Sequence, residues 1–141
     1  MVDRDIIAAK ISIIQRCLHR IQQVTRLDPG SLDEIDVQDI FVVNLQRAAQ
    51  AAIDLAAHIV ASEGLGIPQD LRDNFRLLQQ ADIITPSMAE KMQKMVGFRN
   101  IAVHEYQNLD SVVLKSILVS NLRDVEDFYS AILKHFHIDE R

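Results

Sequence analysis

Residues 41–60 read FVVNLQRAAQAAIDLAAHIV. Phe41, Leu45, Ala48, Ala52, Leu55 and Ile59 recur three and four residues apart, so a helix gathers them into one seam. Val42, Ala49, Ile53, Ala56 and Val60 widen that seam to about half the circumference. The many alanines permit a second helix to approach closely. Gln46, Arg47, Gln50, Asp54 and His58 fall on the opposite face, with Arg47, Asp54 and His58 close together at spacings of seven and four. The pattern predicts a long helix over residues 35–61.

The flanking sequence repeats the pattern. Upstream, Ile6, Ile7, Ile11, Ile14, Cys17, Leu18, Ile21 and Val24 predict a helix over 3–26, with Asp3 and Asp5 placed to suit its dipole. Asp28-Pro29-Gly30 is strong turn chemistry. Downstream, residues 62–68 form a Gly- and Pro-containing connection. A shorter helix is expected over 69–80 with Leu71, Phe75 and Leu78 inward, followed by Ile83 and Ile84 tucked into the core. Thr85 as N-cap and Pro86 in the first turn predict the next start. Ser87 with Glu90 forms an alternative capping box. That helix runs to about His104. A last helix over 111–137 is expected to bury Leu114, Ile117, Leu118, Leu122, Val125, Phe128, Tyr129, Ile132, Leu133 and Phe136. Four long helices and one short one, joined by short links, predict an all-α antiparallel four-helix bundle in one domain, 1–141.

Composition agrees. The 141 residues carry few aromatics, four glycines and three prolines, a profile that favours helix over sheet. A net charge of −5 argues against a surface that coats nucleic acid generally, although residues 86–108 carry a local +1. The single Cys17 cannot form an internal disulfide and reads as a small buried hydrophobe, which fits a reducing cytoplasm. No signal peptide or membrane span is legible, because charges interrupt every early apolar run. The five histidines form no H-E-x-x-H pattern and there is no Cys pair, so no metal site is expected. There is no Gly-rich phosphate loop, and no cofactor is expected.

One residue conflicts with the helical pattern. On a helix at 100° per residue, Met88, Met92, Met95, Val96, Ala102, Val103 and Tyr106 all lie within about 60° of Arg99. A guanidinium thus stands in the middle of a stripe that should face apolar partners, where it needs a partner or a wet cleft. Asn100 and His104 share one edge of that stripe. Asp54 is a candidate counter-charge, with Arg47 beside it, if the polar strip of residues 46–58 lines the same cleft.

Arg99, Asn100 and His104 offer coherent chemistry. Arg binds phosphate bidentately, His titrates near neutral pH, and Asn orients either one. Together they could cleave RNA without a metal. His104 would take the proton of a ribose 2′-OH, and Arg99 would hold the charge of the transition state. One His cannot easily serve as base and acid together, whereas two copies facing across a homodimer supply both. The spacing alone is met more simply by a structural role, with His104 capping the last carbonyls and Arg99 paired with Asp54.

The pattern Arg99-Asn100-x-x-x-His104-x-Tyr106 resembles the R-N-x-x-x-H-x-Y signature of HepT-like toxins, members of the HEPN superfamily. The Gly97-Phe98 lead-in, the first helix, the Arg47-to-Asp54 segment and the chain length are also similar. The resemblance implies a homodimeric HEPN-like bundle with both motifs in a shared cleft. It implies a metal-independent endoribonuclease, the toxin of a type II toxin–antitoxin pair, with Arg99, Asn100 and His104 as catalytic residues. The implied partner is an MntA-like nucleotidyltransferase antitoxin that transfers AMP to Tyr106. The alternative is a non-catalytic helical module that docks a nucleotidyltransferase or a nucleotide.

Overall fold

In the computed structural model, residues 1–139 are described, so the last two positions of the expected 1–141 domain lie outside the described residues. The described chain is all-helical. Helices α1 (Arg4–Thr25), α2 (Ile35–Ser62), α3 (Asp73–Gln80), α4 (Pro86–His104), α5 (Ser111–Ser120) and α6 (Leu122–His135) are joined by links that include two 3₁₀ turns, Pro29–Asp33 and Tyr106–Asn108. Among the described residues, no helix is long and apolar enough to cross a membrane.

Helix α2 is the hub, touching α1, α3, α4 and α6. Ala48, Ala52 and Ala56 are fully buried in its seam together with Phe41, Leu45, Leu55 and Ile59. Alanines at a crossing shorten the interaxial distance, and α1 uses this to lie along α2. Ile7, Ile14 and Ile21 of α1 are spaced seven apart and fully buried. The far side of the core is closed by Phe75 of α3, whose ring meets Phe128 of α6 edge-on at 5.5 Å. Cys17 is buried as expected, and burial pushes its thiol pKa up.

The predicted ends mostly match the observed ones. The Asp3 carboxylate caps α1 by accepting from the N–H groups of Asp5 and Ile6. Thr85 rather than Ser87 caps α4, its hydroxyl accepting from Met88 N–H at 3.1 Å, and Pro86 occupies the first turn. Ile83 and Ile84 are buried.

Two elements differ from the expectation. Helix α3 starts at Asp73 rather than 69, and Leu71 is exposed rather than inward. The cause is local. The Asp70 carboxylate accepts from Asp73 N–H at 2.8 Å, and the Asp73 carboxylate accepts from Gln69 N–H at 3.0 Å. The Asp70 carboxylate thereby takes the N–H that a helix begun at residue 69 would have bonded to the Gln69 carbonyl. The last helix is likewise two helices. It breaks at Asn121, whose side chain donates to Asp124 Oδ2 at 3.0 Å. The break lets α5 sit on the first 3₁₀ turn, where Lys115 Nζ meets Asp33 at 2.6 Å, while α6 turns into the bundle against α1, α2 and α4. Leu122 and Phe136, at the ends of α6, are only half-buried as a result.

Candidate active site

Helix α4 buries Met92, Met95, Val96 and Ala102, the residues that flank Arg99 on the helical wheel. Arg99 does stand at the centre of a buried arc, as the spacing predicts, and is itself half-buried. The arc opens toward the C-terminal end of the helix, where Val103 and Tyr106 are 42% and 43% exposed. The guanidinium leaves the core through that opening.

Its partner is not the expected carboxylate. Arg99 Nε donates to Gln50 Oε1 of α2 at 2.7 Å, and Arg99 Nη1 donates to Asn100 Oδ1 at 2.9 Å. Gln50 in turn donates from Nε2 to Asp54 Oδ1 at 2.9 Å, and Asp54 Oδ2 accepts from Lys10 Nζ of α1 at 3.3 Å. Asp54 is therefore one residue removed from Arg99, and its charge is shared with Lys10. The carboxamide of Gln50 has one workable orientation here, oxygen toward the Arg donor and NH₂ toward the carboxylate. The electrostatic consequence is large. Arg99 is anchored by two neutral amide oxygens, so its positive charge is not cancelled by a contact anion. Two of its five N–H donors are occupied, which leaves three for an incoming phosphate.

The rest of the polar strip on α2 does not join this site. His58 Nε2 accepts from Asp3 N–H at 3.0 Å, which commits the ring to the start of α1. Arg47 is exposed and its charge bears on the Cys17 thiol of α1, where it partly offsets the upward push of burial. Among the described residues, no hydrogen bond or ion pair links Arg47 to Arg99.

Asn100 is half-buried beside Arg99, and His104 is the exposed last residue of α4. Asn100 and His104 are four apart, which places the imidazole one turn beyond the amide that holds Arg99 Nη1. The arrangement combines a held guanidinium with a solvent-facing imidazole. Among the described residues, no group of three or more His, Cys, Asp or Glu side chains could hold a metal ion.

Tyr106 is not placed on the same helical face as Arg99. Helix α4 stops at His104, Glu105 adopts φ −140° and ψ 48°, and Tyr106 opens a 3₁₀ turn. The phenol O–H donates to Asp39 Oδ1 near the start of α2 at 2.5 Å. That bond, helped by partial burial, pushes the Tyr106 pKa up to about 12. Since Arg99 meets Gln50 and Tyr106 meets Asp39, α4 and its extension run antiparallel to α2. The two anchor points are separated along α2 by about 16 Å at 1.5 Å per residue.

Gln50 and Asp39 are the residues that sequence reasoning did not single out. Gln50 lies four residues before Asp54 on the recognised polar face, and that spacing was the available signal. Asp39 carries no such signal, since only the reversal between α2 and α4 brings it to Tyr106.

A family model described as ribonuclease HepT-like matches residues 14–132. The mRNA nuclease HepT of Shewanella oneidensis is 44% identical over 128 residues, covering 91% of this chain and 96% of that protein. The tRNA nuclease HepT of Aphanizomenon flos-aquae is 30% identical over 106 residues, covering 74% of this chain and 72% of the other. A solved structure of the tri-AMPylated Shewanella oneidensis HEPN toxin in complex with MNT antitoxin has a TM-score of 0.86 at 44% identity, covering 92% of this chain and 98% of that one.

Proposed function

The chain belongs to the HepT-like ribonuclease family, and from that premise we propose that it is the toxin of a toxin–antitoxin pair, a metal-independent endoribonuclease acting in the cytoplasm. The observation that carries the reading is the setting of Arg99, a half-buried guanidinium held by the neutral amides of Gln50 and Asn100 with three donors open to a phosphate.

In this reading RNA lies across Arg99 with its scissile phosphate on the open N–H groups. His104 accepts the ribose 2′-OH proton, and the 2′-oxygen attacks the adjacent phosphorus. The bond to the 5′-oxygen breaks, and a 2′,3′-cyclic phosphate remains. Arg99 stabilises the charge gathered on the non-bridging oxygens. The leaving 5′-oxygen needs a proton, which the His104 of a second copy supplies in a homodimer. Exposed Val103 and Val43, which the antiparallel register places opposite each other on α4 and α2, offer apolar surface for such a seam. The partner is a nucleotidyltransferase antitoxin that transfers AMP to Tyr106. The added AMP places bulk and a negative phosphodiester two residues beyond His104, where it opposes the approach of an RNA phosphate.

Purified protein is expected to cleave RNA in EDTA. His104→Ala is expected to lower the rate by about 10²–10⁴-fold, the usual range for a general acid–base group, with an unchanged circular dichroism spectrum. Undiminished cleavage by that variant would reject His104, and products with 3′-hydroxyl ends would reject 2′-OH attack. Tight binding of the antitoxin without any cleavage of RNA would replace the reading with a non-catalytic docking module.

A further inference from the structure

The Tyr106 hydroxyl is engaged by a carboxylate at the protein surface. Its O–H donates to Asp39 Oδ1 at 2.5 Å, across 67 residues of sequence. Asp39 and Tyr106 are both exposed residues, so the pair lies at the surface rather than in the core. Among the described residues, Asp39 is also not held in an ion pair. Asp33, Asp54, Asp73 and Asp124 each pair with a lysine or arginine. Among the described residues, Asp39 has no cationic partner, and its hydrogen bond is with the phenol. An ionised carboxylate already accepting the phenol O–H stands in line to take that proton, with no bound cation to be displaced first.

We propose that Asp39 is the proton acceptor for Tyr106 when its hydroxyl attacks a nucleoside triphosphate, so that the modified chain supplies the base for its own modification. The proposal rests on the reading that Tyr106 is the residue that receives AMP. The step balances as follows. A bond forms between Tyr106 Oη and the α-phosphorus of ATP. The bond from that phosphorus to the β-bridging oxygen breaks, and pyrophosphate departs with the electron pair. The phenolic proton passes along the existing hydrogen bond to Asp39 Oδ1.

The environment explains why such an acceptor is needed. The pair holds the phenol protonated far above neutral pH, so no ready phenolate exists and the proton must leave during attack. The same residue then releases the product. The phosphodiester oxygen on the tyrosine cannot donate a hydrogen bond, and Asp39, once its proton is lost to water, repels the new negative charge. The modified side chain is driven off α2 at Asp39.

The test is the initial rate of AMP addition to the full chain by its partner nucleotidyltransferase, with ATP, read by intact-mass spectrometry. Asp39→Asn is expected to slow the gain by about 100-fold or more, within the range for general-base catalysis. Asp39→Glu, which keeps a carboxylate, is expected to recover part of the rate. Asp39→Ala is expected to be slow and to be accelerated by added formate, which leaves the wild-type rate unchanged. A passive structural contact would not show that rescue. Circular dichroism of each variant reports folding separately. Wild-type rates in Asp39→Asn, or a slow Asp39→Ala that formate does not rescue, would overturn the role of Asp39. A wild-type chain that gains no mass at Tyr106 would instead overturn the reading of Tyr106 itself, and the role of Asp39 with it.

Discussion

Arg99 shows how a charge in an apolar stripe is made tolerable without being neutralised. A direct Arg99–Asp54 pair would have satisfied the guanidinium and also occupied it. Gln50 between them satisfies Nε at 2.7 Å and keeps the carboxylate at one remove. Gln50 is thus a positioning residue, acting through Arg99. Gln50→Ala removes the bond that sets the guanidinium plane. It is expected to lower kcat for RNA cleavage by up to about 100-fold, the order of a misplacement near 1 Å, with a smaller change in KM. Single-turnover and steady-state kinetics measure both quantities. An unchanged kcat with raised KM would mean that Gln50 serves only substrate binding. At this scale the sequence was informative about residue types and silent about partners. Periodicity placed Arg99 at the centre of the buried arc, but whether Asp54 or Gln50 meets it depends on a few ångströms of reach across the α2–α4 crossing.

At the scale of elements, α4 carries the site residues along one unbroken helix from Pro86 to His104. Gly97 lies inside it, where Gly costs roughly 0.5–1 kcal/mol relative to Ala. A Cβ at this position would meet Arg72 Nη2 at 3.1 Å and nothing else within 4 Å outside its own helix and chain neighbours. Arg72 is exposed and its side-chain end can shift. Gly97→Ala is therefore expected to raise stability by about 0.5 kcal/mol, seen as a higher thermal midpoint with RNA cleavage retained. A lower midpoint would show that Arg72 cannot give way. Local chemistry also decided the two departures from the expected elements. The aspartates at 70 and 73 delay α3, and Asn121 with Asp124 divides the last helix. The carboxylates at 70 and 73 accept from backbone N–H groups, and Asn121 bonds Asp124 side chain to side chain, but the sequence alone does not say which of these contacts form.

For the whole molecule, the hub position of α2 gives one helix both the core seam and the groups that hold Arg99 and Tyr106. Its alanine-rich seam receives α1, and its polar face supplies Gln50 to Arg99 and Asp39 to Tyr106. A homodimer that joins two His104 side chains needs a seam near the open end of the α4 arc, where Val103 is exposed. Val103→Asp is expected to leave the monomer fold within about 0.5 kcal/mol, as for other exposed positions, while shifting sedimentation from dimer to monomer and abolishing RNA cleavage. A dimer that persists with full activity would place the seam elsewhere.

The sequence by itself determined the helices, most of their ends, the core and the identity of the Arg99-to-Tyr106 motif. Those depend on periodicity and capping, which act over one or two turns. It did not determine that α4 stops at His104 and turns Tyr106 toward Asp39, that Gln50 intervenes between Arg99 and Asp54, or that His58 and Arg47 belong to α1 rather than to the cleft. Those outcomes follow from the antiparallel register of α2 against α4 and from the position of α1. Register is set by how whole faces pack together, and a single helix does not carry that information.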